Sequence, residues 1–471
     1  MPMQTVIRKS MQVLHNLERI FFLALVIFPF ALVTGCIQLY LDGFNKQSGQ
    51  SRAYIKSSKM RWKWFQINGI TEIRKIYWVP LCFEPKWVVW HYLFALELFE
   101  LSNLLNEAIR RECSTQQREI LVIRLGHLGD YIQTLPLLQR LQGRTKSVDV
   151  LVGVWNQNFA KVVTDDINVI PYSTVLHQFN RNKKRALCEI YKEYKYLCGL
   201  RNWRYGVVLS LEGHHLLDFV LRSALHYDKF YAVRQNNDLP LLSRMECESI
   251  AYDQRQPEHV WLLSFAKSLG LFSGACSPFI PLDEEKCQES VACVPQSRPY
   301  VTISPGAGWS GKCWPQERFV SIGKWLIDHR DMNVLVIGSP GESSLCGQIA
   351  SGIGRRAVSL AGKTSKIDVC CLLKNAFAHL GNDNGLMHIA AAVGAPTVSL
   401  FGPTDPEKWA PSGEQHIFLQ HRDACTSSCL PWHPNAMCTG NHACMNAITE
   451  EEVIRALTKL LENTFFFNSS L

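Results

Sequence analysis

The chain of 471 residues has room for two or three folded domains, and at 47% hydrophobic and 19% charged it lacks the composition of a disordered protein. Its formal charge of +8 is uneven: residues 1–117 hold 14 Lys/Arg against 8 Asp/Glu, and the rest is close to neutral. A near-neutral body argues against a nucleic-acid-binding protein, whose footprint is a basic patch or stripe.

Residues 1–117 read as a membrane-associated helical extension. The run "IFFLALVIFPFALVTGCIQLYL" (20–41) carries no charge and is long enough to cross a bilayer core as a helix. Pro29 and Gly35 leave a straight span, a kinked helix and an in-plane helix all open. The basic, aromatic "KSSKMRWKWFQ" that follows suits an anionic membrane surface. A second apolar stretch at 87–105 contains Glu97 and Glu100 and reads as an amphipathic or packed helix. "VTGC" at 33–36 also has the look of a lipoprotein signal, but the charged lead is long for one. The 17 cysteines are scattered, with no paired framework before residue 425, which favours a reduced, intracellular body.

From residue 118 the pattern becomes short apolar strands alternating with helical periodicity. "EILVIRL", "VDVLVGV" (148–154) and "YGVVLSLEG" (205–213) read as buried parallel strands, and "EHVWLLSFAKSLG" (258–270) as the last helix of a first domain, 118–297. Residues 271–298 lose periodicity and read as its linker. A second alternating block, 298–471, has strands in "YVTISPGAG", "NVLVIGSPG", "AVSLAG", "AHLGND" and "PTVSLFG". The expected fold class is α/β, with two successive doubly wound domains facing a cleft. Ligands in such sheets bind beyond the carboxyl ends of the strands.

Three strand-end loops carry the candidate chemistry. In "VIRLGHLGDYIQTLPLL" (122–138), Asp130 stands at the mouth of a helix, either capping it or acting as a base, while Gly126 and Gly129 leave backbone approach open beside this lone carboxylate. It is not a G-x-G-x-x-G dinucleotide site. In "SPGAGWSGKCWP" (304–315), Ser304 and Gly308 allow close backbone approach and Lys312 supplies a mobile cation. "GNDNGLMHIAAAVGAPTVSLFGPTDP" (381–406) places Asp383 at a strand end and starts a helix at Asn384–Gly385, whose bare N–H groups suit a diphosphate; His388 follows one turn on. Glu342 either bonds a ribose hydroxyl or serves the helix dipole. Cys425, Cys429, Cys438 and Cys444 are spaced more loosely than paired C-x-x-C, so no metal is expected there and their role stays open.

"IRLGHLGDYIQTLPLL", "SPGAGWSGKCWPQERF" and "GNDNGLMHIAAAVGAPTVSLFGPTDP", in that order, closely resemble the ADP-heptose lipopolysaccharide heptosyltransferases, glycosyltransferase family 9. The resemblance covers about residues 118–460 and leaves the extension outside. It implies the GT-B architecture, two Rossmann-like domains with the donor on the second and the acceptor approaching from the first. By motif it implies Asp130 as general base and Lys312 as the cation on the donor diphosphate. Asp383 and His388 match the family's D-[ST]-G-x-x-H pattern, in which Asn384 replaces Ser or Thr. The implied function is inverting transfer of heptose or a related sugar from an ADP-sugar to a lipopolysaccharide core or other lipid-linked glycan, without metal or other cofactor. Such an enzyme works at the cytoplasmic face of the bacterial inner membrane, held to the membrane surface by its extension. The alternatives are the same fold with another nucleotide sugar, or a non-catalytic nucleotide-binding membrane adaptor.

Overall fold

The computed structural model describes residues 116–164, 166–173, 196–197, 199–213, 215–234, 248–251, 256–271, 276–291, 298–425, 438 and 440–468. The apolar stretches at 20–41 and 87–105 lie outside them. Among the described residues no helix is long and apolar enough to cross a membrane. All of the described residues belong to one compact unit, formed by Thr115–Gln235 and Cys247–Leu471.

The first half folds as β1 (Gln116–Arg124), α1 (Leu128–Gln142), β2 (Val148–Gly153), α2 (Gln157–Val163), β3 (Asn168–Tyr172), β4 (Trp203–Ser210), α3 (His215–Ala224), β5 (His226–Arg234), β6 (Glu248–Ala251) and α4 (Glu258–Ser268). Its six strands are ordered β3-β2-β1-β4-β5-β6 and every pairing is parallel. Leu121, Val122 and Ile123 of β1 are all fully buried, consecutive rather than alternating, because helices cover both faces of a parallel sheet. Each such side chain contributes about 1.5–3 kcal/mol on burial.

Helix α5 (Glu284–Val291) sits where the sequence suggests an unstructured linker. Its surface is charged, and Cys287 at 2% exposure is its anchor, so no apolar period marks it in the sequence. The second half then runs β7 (Tyr300–Ser304), α6 (Gln316–Arg330), β8 (Asn333–Val336), α7 (Ser343–Ile353), β9 (Ala357–Ser359), α8 (Lys366–Lys374), β10 (Ala378–Asn382), α9 (Gly385–Ala392), β11 (Thr397–Phe401), α10 (Pro406–Trp409), β12 (His416–Gln420), α11 (Ala443–Ala447) and α12 (Glu450–Asn468). Strand order is β12-β11-β10-β7-β8-β9, again parallel throughout. Both sheets therefore repeat one doubly wound order, in which the first strand of each half is flanked by its second and fourth.

Cys287 of α5 and Cys371 of α8 form a disulfide, with Cα atoms 4.8 Å apart. This corrects the expectation of unpaired cysteines before residue 425. The partners are 84 residues apart, and only the fold brings them together. Ser290 donates to Asp368 at 2.7 Å and Lys374 pairs with Glu284, so α5 is fastened to the second half rather than swinging as a tether.

One apolar core crosses between the sheets. It runs from Ile132 and Leu135 of α1 to Ile389 and Ala390 of α9 and to Val369 and Leu373 of α8. A second core fills the far side of the second sheet, around Phe319, Ile322, Val398 and Leu457. The crossing core brings α1 and α9, the helices that follow the first strand of one sheet and the fourth strand of the other, into contact. A doubly wound sheet offers its crevice at the point where strand order reverses. Here those points lie between β1 and β4 and between β7 and β10, and the three sequence motifs fall at them.

Candidate active site

The crevice of the first sheet is built around Arg124, the last residue of β1, which is 6% exposed. Its Nη1 donates to the Leu211 carbonyl at 2.7 Å and its Nη2 to Glu258 Oε1 at 2.9 Å. Its Nε donates to the backbone carbonyl of Asp130 at 3.3 Å, and Nη2 lies 3.6 Å from Asp130 Oδ1. Burial works against the guanidinium charge, but Asp130, Glu258 and Glu212 together outweigh it and raise the Arg124 pKa. Glu212, just beyond β4, holds the loop from below by accepting Leu125 N–H at 2.6 Å and Gly126 N–H at 3.2 Å.

Asp130 is both a cap and an available acid. Its Oδ2 accepts the His127 N–H at 2.7 Å, closing the first turn of α1. Its side chain keeps 24% exposure, against 3% for Glu258, so of these two carboxylates it is the one water reaches. The Glu258 pKa is raised, mainly by burial and against the pull of Arg124. Lys408 of α10 comes from the second half to within 3.6 Å of Glu258 Oε2. Burial and the Arg124 charge push the Lys408 pKa down to about 8, against the pull of Asp130.

The crevice of the second sheet is made of caps and neutral groups with a single ion pair. Lys312, in a short turn of 3-10 helix at Ser310–Lys312, donates to Asp383 Oδ2 at 2.7 Å, and Thr404 donates to the same oxygen at 2.6 Å. Lys312 is thus held at 17% side-chain exposure instead of moving as a free cation. Asn384 is the N-cap of α9: its Oδ1 accepts Leu386 N–H at 2.9 Å and Met387 N–H at 3.1 Å. Those amides are not bare, which corrects the reading of an open helix N-terminus. Its Nδ2 donates to Ser304 Oγ at 3.1 Å and to the Gly306 carbonyl at 2.8 Å. Ser304, only 1% exposed, supports Asn384 rather than facing a ligand. Gly308 is exposed, with open space where a Cβ would lie. The Glu342 carboxylate lies on Gly306, where an added Cβ would fall 1.6 Å from Oε1. Its Oε2 accepts from Ser339 N–H and Oγ–H, both at 2.7 Å, so it caps a 3-10 turn as well as lining the loop.

The two crevices meet at a buried seam. Gly129 is not open backbone: a Cβ there would lie 2.6 Å from His388 Cδ2, so only glycine lets α1 come this close to α9. Gly385 likewise packs on Leu128. Gln133, one turn past Gly129, joins two histidines. Its Nε2 stands 3.0 Å from His388 Nδ1 and its Oε1 2.9 Å from His259 Nδ1. With the amide placed so, His388 accepts at Nδ1 and carries its proton on Nε2, and His259 donates from Nδ1. Burial, then the nearby His388, pushes the His259 pKa down to about 4. Burial lowers His388 as well, although Asp383 and Asp130 pull it upward. Both rings are neutral at pH 7, and the His388 edge packs on the Trp409 ring.

The structure therefore gathers Asp130, Gly129, Lys312, Asp383, Asn384, Gly385 and His388 along one seam, with Gly126 beside Asp130 and Glu342 against Gly306 and Ser339. Sequence reading missed Arg124, Glu212, Glu258, Lys408, Gln133 and His259. Arg124 gave a signal, a charge closing an apolar strand, and Gln133 another, a polar residue on the packed face of α1. Cys444 is raised by burial and then by Cys425 and Cys438 nearby, and Cys429 lies outside the described residues. Among the described residues no group of three or more His, Cys, Asp or Glu is placed to hold a metal.

Residues 198–437 match the sequence pattern described as glycosyltransferase family 9 (heptosyltransferase), just over half of the chain. The chain belongs to this family. Lipopolysaccharide heptosyltransferase 1 of Pseudomonas aeruginosa is 26% identical over 325 residues, 66% of this chain and 86% of that protein. Lipooligosaccharide heptosyltransferase 2 of Haemophilus ducreyi is 29% identical over 173 residues, 35% of this chain and 49% of that protein. The chain spans about half the length of most of the curated relatives it matches. The Escherichia coli ADP-heptose lipopolysaccharide heptosyltransferase II structure shares the fold with a TM-score of 0.56 and 22% identity, covering 73% of this chain and 99% of that one. Within the family 9 match lie the Lys312 loop, the Asp383–His388 motif and Lys408; the Asp130 loop lies before it.

Proposed function

We propose that this protein is an inverting glycosyltransferase that moves heptose, or a closely related sugar, from an ADP-sugar to a lipopolysaccharide core or other lipid-linked glycan. The observation that carries this reading is the seam itself, where the part-exposed acid Asp130 and the Lys312–Asp383 pair stand on opposite halves and α1 meets α9 through Gly129 and His388. Inversion requires that separation: the base faces the acceptor hydroxyl on one side of the anomeric carbon, and the diphosphate leaves from the other.

In the transfer, the acceptor oxygen attacks the anomeric carbon, its proton passes to Asp130, and the bond from that carbon to the phosphate oxygen breaks with its electron pair on the departing diphosphate. Lys312 turns from Asp383 toward the diphosphate and offsets the charge developing there, while Thr404 keeps its hydrogen bond to Asp383. Asn384 fixes the loop at Ser304 and Gly306, so the backbone around Gly308 and Gly385 is ordered before donor arrives. A lysine offsets the negative charge of the leaving diphosphate, so the reaction is expected to proceed without a divalent metal. Activity abolished by a chelator and restored by Mg2+ would overturn that part. ADP-sugars and their lipid-linked acceptors meet at the cytoplasmic face of the inner membrane, and residues 20–41 and the basic stretch after them are suited to holding the enzyme there.

The test is release of ADP from ADP-heptose by the full chain in detergent, with heptose-less lipopolysaccharide as acceptor. Release that depends on acceptor supports the transferase. Binding of donor without release, across a panel of lipid-linked glycans, would favour an adaptor and sink the reading.

A further inference from the structure

A short 3-10 turn, Val154–Asn156, follows β2 directly and stands beside the Asp130 loop. Within it the exposure is inverted: polar Asn156 is fully buried, while Val154 and Trp155 are each 46% exposed. Trp155 is nonetheless not loose. Its Nε1–H donates to the Gly126 carbonyl at 3.0 Å, and Asn156 Nδ2 donates to the same oxygen at 3.2 Å. Its ring lies against Gly153, where an added Cβ would be 2.5 Å from Trp155 Cε2. Its carbonyl accepts from Lys366 at the start of α8, in the second half. Gly126 in turn abuts the acid: a Cβ on it would be 2.6 Å from Asp130 Oδ2. The indole is thus fixed by its polar edge to the residue that touches the candidate base, with apolar surface left open to water.

We propose that Trp155 is the stacking wall of the acceptor subsite, taking the C–H face of the sugar ring whose hydroxyl Asp130 deprotonates. This rests on the transferase reading above. A pyranose has an apolar face of polarised C–H bonds and a rim of hydroxyls. The negative face of an indole attracts the first, leaving the rim to hydrogen-bond at Asp130 and the loop. A rigid aromatic with its N–H already used orders a ring at little entropic cost, since the side chain has no freedom left to lose. Lipid contact alone would not need the indole edge fastened to the loop that carries the acid.

The experiment uses the full chain with ADP-heptose and a deacylated, heptose-less lipopolysaccharide core oligosaccharide, which removes any contribution from acyl chains. KM for oligosaccharide and for donor is measured for wild type, Trp155→Ala and Trp155→Phe, with ADP affinity by calorimetry as the check on folding. Trp155→Ala is expected to raise the oligosaccharide KM about tenfold, the scale of one aromatic contact, with donor KM and ADP affinity unchanged. Trp155→Phe, which keeps a face but lacks the N–H, is expected to stay within about threefold of wild type. An unchanged oligosaccharide KM in Trp155→Ala overturns the proposal, as does a defect seen only with acceptor in lipid vesicles. A Trp155→Phe defect equal to that of Trp155→Ala also overturns it, by making the N–H tether the whole role. Wild type that neither binds the oligosaccharide nor releases ADP on any lipid-linked glycan sinks the transferase reading, and this subsite with it.

Discussion

The two halves share a strand order and each brings a helix N-terminus to its crevice, α1 after the first strand of one sheet and α9 after the fourth strand of the other, yet they put opposite chemistry there. At α1 the first turn is closed by a carboxylate, Asp130, backed by a buried Arg124 that also donates to the Leu211 carbonyl and to Glu258. At α9 the first turn is closed by a neutral amide, Asn384, backed by Ser304 and a backbone carbonyl. A carboxylate cap suits a place that must accept a proton and repel phosphate. An amide cap suits a place that must order backbone without adding negative charge. The fold supplies two equivalent crevices, and the capping residue gives them opposite charge.

Exchanging the caps is the sharpest way to break this comparison. Asp130→Asn keeps an oxygen for the His127 N–H but can no longer take a proton. ADP release is expected to fall by roughly 10²–10⁴-fold with the melting temperature close to wild type. Activity near wild type would make Asp130 a cap alone and end its role as base. The converse exchange, Asn384→Asp, keeps the bonds from Leu386 and Met387 but loses both bonds donated by Nδ2, and it adds a negative charge beside Lys312. Donor KM is expected to rise roughly tenfold to a hundredfold while acceptor KM holds. A donor KM that does not move would place the diphosphate away from this loop.

How far the sequence revealed this difference depended on what each residue leans on. Asp130, Lys312 and Asp383 were legible because glycine-rich strand ends announce a crevice, and a single charge in such a loop stands out. The parallel sheets were legible because continuous apolar runs such as 120–123 need cover on both faces. Arg124, Glu258 and Lys408 were not, since they are distant in sequence and become a cluster only when β1, α4 and α10 come together. Asn384 showed as a departure from Ser or Thr, but the two bonds it donates, to Ser304 and Gly306, appear only once β7 and its loop lie beside it. Helix α5 was missed for a related reason: Cys287, buried among its described side chains, is secured by a disulfide to a residue in another element, a constraint that leaves no apolar period in the sequence.

The seam between the crevices offers a smaller test. Gln133→Leu fills the space but leaves His388 Nδ1 and His259 Nδ1 without their present partner. Two buried ring nitrogens then lose a hydrogen bond, and stability to chemical denaturant is expected to fall by about 1–3 kcal/mol. Catalysis should fall less than in Asp130→Asn, because His388 keeps its packing on Gly129 and Trp409. A catalytic loss equal to that of Asp130→Asn would mean that the seam is part of the chemistry, and that the two crevices are not the separate halves drawn above.

The pH dependence of stability reports the same seam with the least disturbance. His259 titrates near 4 when folded and near its ordinary 6.5 when unfolded. Between those values the unfolded chain binds a proton that the folded chain does not, so stability from this group falls as pH drops from 6.5 to 4 and is fully present above 6.5. The loss approaches about 3 kcal/mol at the acid end. His416, also near 4, and His379, near 3, add slopes of the same sign from the second half. His259→Gln removes only the first contribution. Denaturant titrations of both proteins should therefore differ by a constant above pH 6.5 and converge by about 3 kcal/mol toward pH 4, wild type losing the more. Parallel curves over that window would mean that His259 takes up its proton in the folded state. The charge would then sit beside His388, and the seam between Asp130 and the Lys312–Asp383 pair would not be neutral.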